Sequence, residues 1–211
     1  MKYHKLVENA EKPKGFWGKL MIRSMNKGHS NLTDWALKQF VVESGDIVLD
    51  VGCGGGKTVD KLCAMVGSGK VYGIDYSELC VKSSKKLNHK NILCHKAVIS
   101  QASVSSLPFE DNTFNKITAV ETYYFWPDKP DALREICRVL KPGGKLLLVF
   151  EMVEDPFNPG KWSAVEQKLN IKAVSEDGIA KALAEAGYIN ISTYTEESAG
   201  WLCAVAQKEI I

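Results

Sequence analysis

Ile47-Val48-Leu49-Asp50-Val51-Gly52-Cys53-Gly54-Gly55-Gly56-Lys57 is the stretch from which the rest of the chain can be read. Ile47–Val51 is a nearly continuous apolar run interrupted only by Asp50, as in a strand covered on both faces. Four glycines then fall within five residues. From Thr58 to Val66 the apolar residues Val59, Leu62, Cys63 and Val66 recur at helical spacing, and Gly67-Ser68-Gly69 ends the pattern. A buried strand therefore opens through a loop stripped of side chains into a helix.

The same alternation continues downstream. Lys70–Asp75 reads as a second strand, and Ser77 is placed to N-cap a helix running to about Asn88. Asn91–Ile99 reads as a third strand, and Phe114–Glu121 as a fourth, entered through the turn Phe109-Glu110-Asp111-Asn112. Asp131–Leu140 carries a helical stripe of Leu133, Ile136, Cys137 and Leu140, which Lys141-Pro142-Gly143-Gly144 stops. Residues 145–151 form a fifth buried strand. Strands separated by helices imply a parallel sheet with right-handed crossovers. Ser175–Ala186 reads as a last helix, and "YINISTYTEE" with "AGWLCAVAQKE" as an antiparallel pair added at the sheet edge. A further helix near Leu32–Val42 precedes the first strand.

The fold class expected is thus α/β. One domain spans residues 1–211: an N-terminal helical cover over 1–43, a core over 44–151, and a C-terminal part over 152–211 whose segment 152–174 is the least legible.

Composition narrows the function. Apolar residues make up 45% and charged residues 25% of the chain, and the net charge is +2, too small to argue for a nucleic-acid or membrane surface. Lys82, Lys85 and Lys86 read as a solvated helix face. No apolar stretch approaches a membrane span, and the N-terminus lacks the apolar region of a secretory signal. The six cysteines are irregularly spaced with no C-x-x-C pair, as for small buried residues in a reducing compartment, so a cytoplasmic protein is expected.

In an open α/β sheet, ligands bind beyond the carboxyl ends of the strands, where a glycine loop lets a ligand approach backbone N–H groups. The helix start at Lys57–Thr58 adds donors for an anionic group. Dinucleotides and S-adenosylmethionine both use such a loop. A nicotinamide fingerprint, G-x-G-x-x-G, fails here because Lys57 stands at the third glycine. The pattern present is D-x-G-x-G-x-G, with Asp50, Gly52, Gly54 and Gly56. Asp75 closes the second strand, where a carboxylate can accept both hydroxyls of an adenosine ribose. With "SVSSLPFEDNTFNKI" at 103–117 and "REICRVLKPGGKLLL" at 134–148, this set resembles the class I S-adenosylmethionine-dependent methyltransferases, in particular the small-molecule group related to the ubiquinone and menaquinone C-methyltransferases. The resemblance runs from about Ile47 to Phe150.

That resemblance implies a Rossmann-like fold: a seven-stranded, mostly parallel sheet with helices on both faces and a C-terminal antiparallel hairpin. It implies S-adenosylmethionine as cofactor, S-adenosylhomocysteine as product, a small-molecule acceptor and no metal. It points the loop of Asp50, Gly52, Cys53, Gly54 and Gly56 at the methionine part of the cofactor, Asp75 at the ribose, and Tyr76, Ser103 and Val104 at the adenine. Ser103 replaces the family's usual aspartate, and so does Asn115, which reads as a turn or solvent-facing residue. "ETYYFWPD", from Glu121 to Asp128, borders the methionine end and the acceptor. Tyr123, Tyr124, Phe125 and Trp126 offer aromatic faces to a sulfonium, Phe125 being the strongest candidate for a core residue, with Tyr124 and Trp126 the catalytic candidates. The Asn/Asp-Pro-Pro-aromatic motif of amino-directed nucleic-acid methyltransferases is missing there, which argues against nucleic acid. In the N-terminal cover, His29 is the candidate general base, having a suitable unperturbed pKa. Cys53 reads as a packing residue. Two other readings stay open: a protein that binds the cofactor without transfer, and, more remotely, a nicotinamide oxidoreductase.

Overall fold

A computed structural model describes residues 13–210. Seven strands form one sheet in the order β3-β2-β1-β4-β5-β7-β6. β1 (Ile47–Val51) pairs in parallel with β2 (Lys70–Asp75) on one side and β4 (Phe114–Val120) on the other. β3 (Ala97–Gln101) extends the sheet beyond β2, and β5 (Leu140–Phe150) beyond β4, both parallel. The chain runs outward from β1 in one direction and then restarts on its other side. The end of β1 is therefore the topological switch point, where adjacent loops part and leave a crevice.

Helices α1 (Gly15–Gly28), α2 (Ser30–Lys38), α3 (Lys57–Met65), α4 (Glu78–Leu87) and the short α5 (His89–Leu93) precede the fourth strand, and α6 (Lys129–Val139), α7 (Ser163–Leu169) and α8 (Glu176–Glu185) follow it. The continuous apolar strands read correctly as two-faced. In β5, Leu146 and Leu148 enter one core with α6 and α8, while Leu147 and Val149 enter the other with α2 and α3. In β1, Leu49 and Val51 take the first side and Val48 the second. Ser77 caps α4 as expected, accepting from Cys80 N–H at 3.5 Å, and Ser175 caps α8.

Four expectations are corrected. The third strand begins at Ala97, not Asn91, because Asn91 donates to Asn88 Oδ1 at 3.0 Å inside α5 and the chain turns at His95, φ 57°. Lys141–Gly144 does not separate α6 from β5: the strand starts at Leu140, and the extra residues are absorbed where the pairing jumps between Phe114 and Lys116. The helix near Leu32–Val42 spans Ser30–Lys38 and is preceded by α1. Asn115 is not a solvent residue: its Oδ1 accepts from Ile47 N–H at 3.0 Å and Lys141 Nζ at 3.1 Å, tying the start of β1 to β4 and β5.

The C-terminal pair, β6 (Tyr188–Glu196) and β7 (Trp201–Lys208), is antiparallel, with β7 alongside β5 and β6 outermost. Residues 1–12 of the expected N-terminal cover lie outside the described residues. No helix among the described residues is long and apolar enough to cross a membrane.

Candidate active site

The loop after β1 is fastened to β2 by its backbone. Cys53 N–H donates to Ile74 C=O at 2.8 Å, and Gly54 N–H donates to Asp75 Oδ2 at 2.9 Å. The other carboxylate oxygen of Asp75 accepts from Ser77 N–H at 2.8 Å. The Cys80 thiol also hydrogen-bonds to this carboxylate, which still keeps acceptor capacity for a ligand. Burial raises the Asp75 carboxyl above its ordinary value, and the Ser77 and Gly54 N–H groups oppose that rise.

The glycines divide the work. Gly54 has φ 50°, and a Cβ built on it would meet nothing nearer than 4.0 Å, so its free face is the cleft. Gly56, the N-cap of α3, has φ 85°, and a Cβ there would lie 2.6 Å from Asn88 Nδ2 and 2.8 Å from Ser84 Cα. Asn88 Nδ2 also donates to Gly56 C=O at 2.9 Å. Gly56 thus packs α3 onto α4 and, contrary to the expectation, borders neither cavity. Gly56→Ala is expected to cost about 2 kcal/mol, from a left-handed backbone and overpacking together. Urea unfolding measures it, and an unchanged midpoint would mean that the loop can turn away from α4.

Two cavities meet at this loop, sharing Met25, Gly52, Gly54 and Val120 among their walls. The larger, about 160 Å³, is bordered by Asp75, Tyr76, Ser103, Val104, Glu121, Phe125 and Trp126. The smaller, about 50 Å³, is bordered by Asn26, His29, Cys53, Lys57 and Thr58. α1 and α2 reach the loop because Asn26 Nδ2 donates to Gly55 C=O at 3.4 Å and Lys61 on α3 pairs with Asp34 at 2.6 Å.

Most candidate residues converge here, but besides Gly56 two more, Asp50 and Tyr124, border neither cavity. Asp50 is buried beneath the loop: Thr118 Oγ1 donates to its Oδ1 at 2.7 Å, and its Oδ2 has no partner among the described residues. Burial pushes the Asp50 carboxyl up to about 7, against the Thr118 hydrogen bond. Tyr124 likewise borders neither cavity. It packs on Phe150, donates to Glu121 Oε1 at 3.1 Å and accepts from Met152 N–H at 3.0 Å. Its hydroxyl therefore ties Glu121 to the end of β5. The expectation for Phe125 reverses as well: Tyr123, Tyr124 and Trp126 are buried, whereas Phe125 is half-buried and faces the larger cavity. The cause is the tight turn at Tyr123–Phe125, which points consecutive rings in different directions. Trp126 Nε1 donates to Thr122 Oγ1 at 2.8 Å, fixing the indole at the rim.

Cys53 is buried with its Sγ 3.7 Å from Ser84 Oγ, and burial raises its thiol well above the ordinary range, as for a packing residue. The segment 107–111, which follows Ser103 and Val104, is held by a clamp that sequence reading missed. Arg138 donates to the carbonyls of Phe109 and Leu107 and pairs with Asp111 at 2.6 Å and Glu135 at 2.8 Å. Glu151 was also missed. It lies just past β5 with a carboxylate oxygen 3.7 Å from His29 Nε2. Its position at the carboxyl end of a central parallel strand was the available signal.

Residues 49–148 match the family model described as a methyltransferase domain. This segment, just under half of the chain, is similar to methyltransferase domains. An uncharacterised methyltransferase of Bacillus subtilis is 27% identical over 134 residues, 63% of this chain and 71% of that protein. A ubiquinone/menaquinone biosynthesis C-methyltransferase of Francisella philomiragia is 42% identical over 110 residues, 51% of this chain and 44% of that enzyme. Among solved structures, an S-adenosylmethionine-dependent methyltransferase of Aquifex aeolicus superposes with a TM-score of 0.74 at 24% identity, covering 89% of this chain and 96% of that one. The matched segment spans β1 to β5, and its loops border both cavities together with residues of α1 and α2. A nicotinamide oxidoreductase gains no support from these matches.

Proposed function

We propose that this protein transfers a methyl group from S-adenosylmethionine to a small-molecule acceptor. The observation that carries the reading is one cleft, at the switch point of a methyltransferase core, bordered together by the open face of Gly54 and the carboxylate of Asp75. The residues fit the cofactor: a side-chain-free peptide segment for its amino-acid part, a carboxylate with spare acceptor capacity for its ribose, and Tyr76 with Ser103-Val104 for its base. The bound cofactor supplies an electrophilic methyl on a sulfonium.

The chain supplies positioning and dryness. Phe125 and Trp126 wall the larger cavity on its acceptor side and present ring faces that favour a cation. His29 is the proposed proton acceptor. Burial lowers its pKa below the ordinary value while Glu151 opposes the change, so at neutral pH the imidazole is uncharged and able to take a proton. A neutral base beside the cleft favours catalysis over storage of the cofactor.

Isothermal titration with S-adenosylhomocysteine tests the reading, and the absence of binding would refute it. Asp75→Ala is expected to weaken that binding by about 1–3 kcal/mol, the range for losing hydrogen bonds to a charged group. An unchanged dissociation constant would place the ribose elsewhere.

A further inference from the structure

His29 between α1 and α2, Glu121 after β4 and Glu151 after β5 bring one ring nitrogen and two carboxylate oxygens within 4.8 Å of one another. Glu121 borders the larger cavity and His29 the smaller, while Glu151 borders neither and joins the cluster through its carboxylate, 3.7 Å from His29 Nε2. Glu121 is held there deliberately by its surroundings. It is a non-glycine residue at φ 58°, and its Oε1 accepts from both the Tyr124 hydroxyl and Glu151 N–H. No described residue donates to its Oε2. Without a guest the arrangement is electrostatically costly. Burial pushes the Glu121 carboxyl up to about 8, and the neighbouring Glu151 charge adds to the rise. A cation placed between the carboxylates relieves both effects, and Phe125 and Trp126 close the same cavity with ring faces suited to one.

We propose that this cluster is the acceptor subsite and that the acceptor is an amine, which enters as its ammonium ion. The proposal rests on the methyl-transfer reading above. The ammonium N–H groups donate to the Glu121 and Glu151 carboxylates. One proton passes to the neutral His29 imidazole, and Glu151 at 3.7 Å stabilises the resulting imidazolium. The freed nitrogen lone pair forms the new N–C bond to the methyl carbon as the C–S bond breaks, its electron pair remaining on sulfur. The products are the methylated ammonium, neutral sulfide and one proton on His29. That proton leaves to solvent past Glu151, whose side chain is 45% exposed. An alcohol brings no charge to offset the paired acids, and a carboxylate is repelled by them.

The test uses protein saturated with S-adenosylhomocysteine and calorimetric titration with 2-phenylethylamine, 2-phenylethanol and phenylacetate. The amine is expected to bind at least tenfold more tightly than the other two. Glu121→Gln, which retains an acceptor oxygen for Tyr124, is expected to weaken the amine at least tenfold. Glu151→Gln is expected to weaken it at least fivefold with the affinity for S-adenosylhomocysteine unchanged. Equal binding of the alcohol or the acid, no saturable amine binding, or amine affinity indifferent to Glu151→Gln overturns the proposal. So does manganese(II) or zinc(II) binding that displaces the amine and is lost in Glu151→Gln, which would make the cluster a cation site. Failure of S-adenosylhomocysteine to bind defeats the methyl-donor reading itself, whereas its binding without amine recognition defeats this inference alone.

Discussion

Gly54→Val is expected to reduce affinity for S-adenosylhomocysteine more than about 100-fold, equivalent to more than about 2.7 kcal/mol, while the chain still unfolds cooperatively. The reason lies in what surrounds Gly54. Its N–H is committed to Asp75, its φ is 50°, and the nearest atom to an added Cβ is 4.0 Å away. The Cβ of a valine there meets no protein, and its methyl groups project from the cleft side of the loop into the ligand's place. The fold bears only the cost of a left-handed backbone, about 1–2 kcal/mol. Calorimetric titration and thermal unfolding of the same sample separate the two effects. Retained affinity would show that no ligand approaches this peptide, and loss of cooperative unfolding would show that its open face is structurally required. The contrast with Gly56, two residues on, makes the test specific, since that glycine faces protein rather than cavity.

Asp50→Asn is expected to flatten the pH dependence of stability in the ligand-free protein. Burial raises the Asp50 carboxyl to about 7 in the folded state, from 3.8 when unfolded. A carboxyl whose folded pKa is raised favours folding in its protonated form. Its contribution is complete below the unfolded value and is lost as pH rises through about 7. Between pH 5 and pH 8 the native chain should therefore lose about 2.5 kcal/mol relative to the asparagine variant. The amide keeps an oxygen for Thr118 Oγ1 and carries no charge at either pH. Urea titrations of both proteins at the two pH values provide the measurement. Parallel profiles would mean that Asp50 stays ionised beneath the loop, stabilised by a partner other than Thr118. Glu121 acts with the same sign, so the variant should retain a residual slope.

Local sequence was informative wherever one residue type has a single physical use. Consecutive apolar residues at 146–150 required cover on both sheet faces, and the two cores divide them as alternation demands. Ser77 announced a helix start because its side chain can satisfy an otherwise unpaired N–H group. Asn91 and Asn115 were misread for the opposite reason. An asparagine amide serves a turn, a helix or a distant strand equally well, and only its partners, Asn88 in one case and Ile47 with Lys141 in the other, decide which. The aromatic run at 123–126 shows the same limit. Composition announced a wall, but a single tight turn determined that Phe125 borders the cavity while Tyr124 stands behind it.

The sequence by itself determined the alternating α/β architecture, the glycine loop at the first strand's end and the acid at the second's, because periodicity and backbone conformation are properties of short segments. Tertiary structure alone decided which glycine faces a ligand and which a helix. It also assembled His29, Glu121 and Glu151 from three separate segments, for distances across a sheet edge depend on strand order and register, which no short segment encodes.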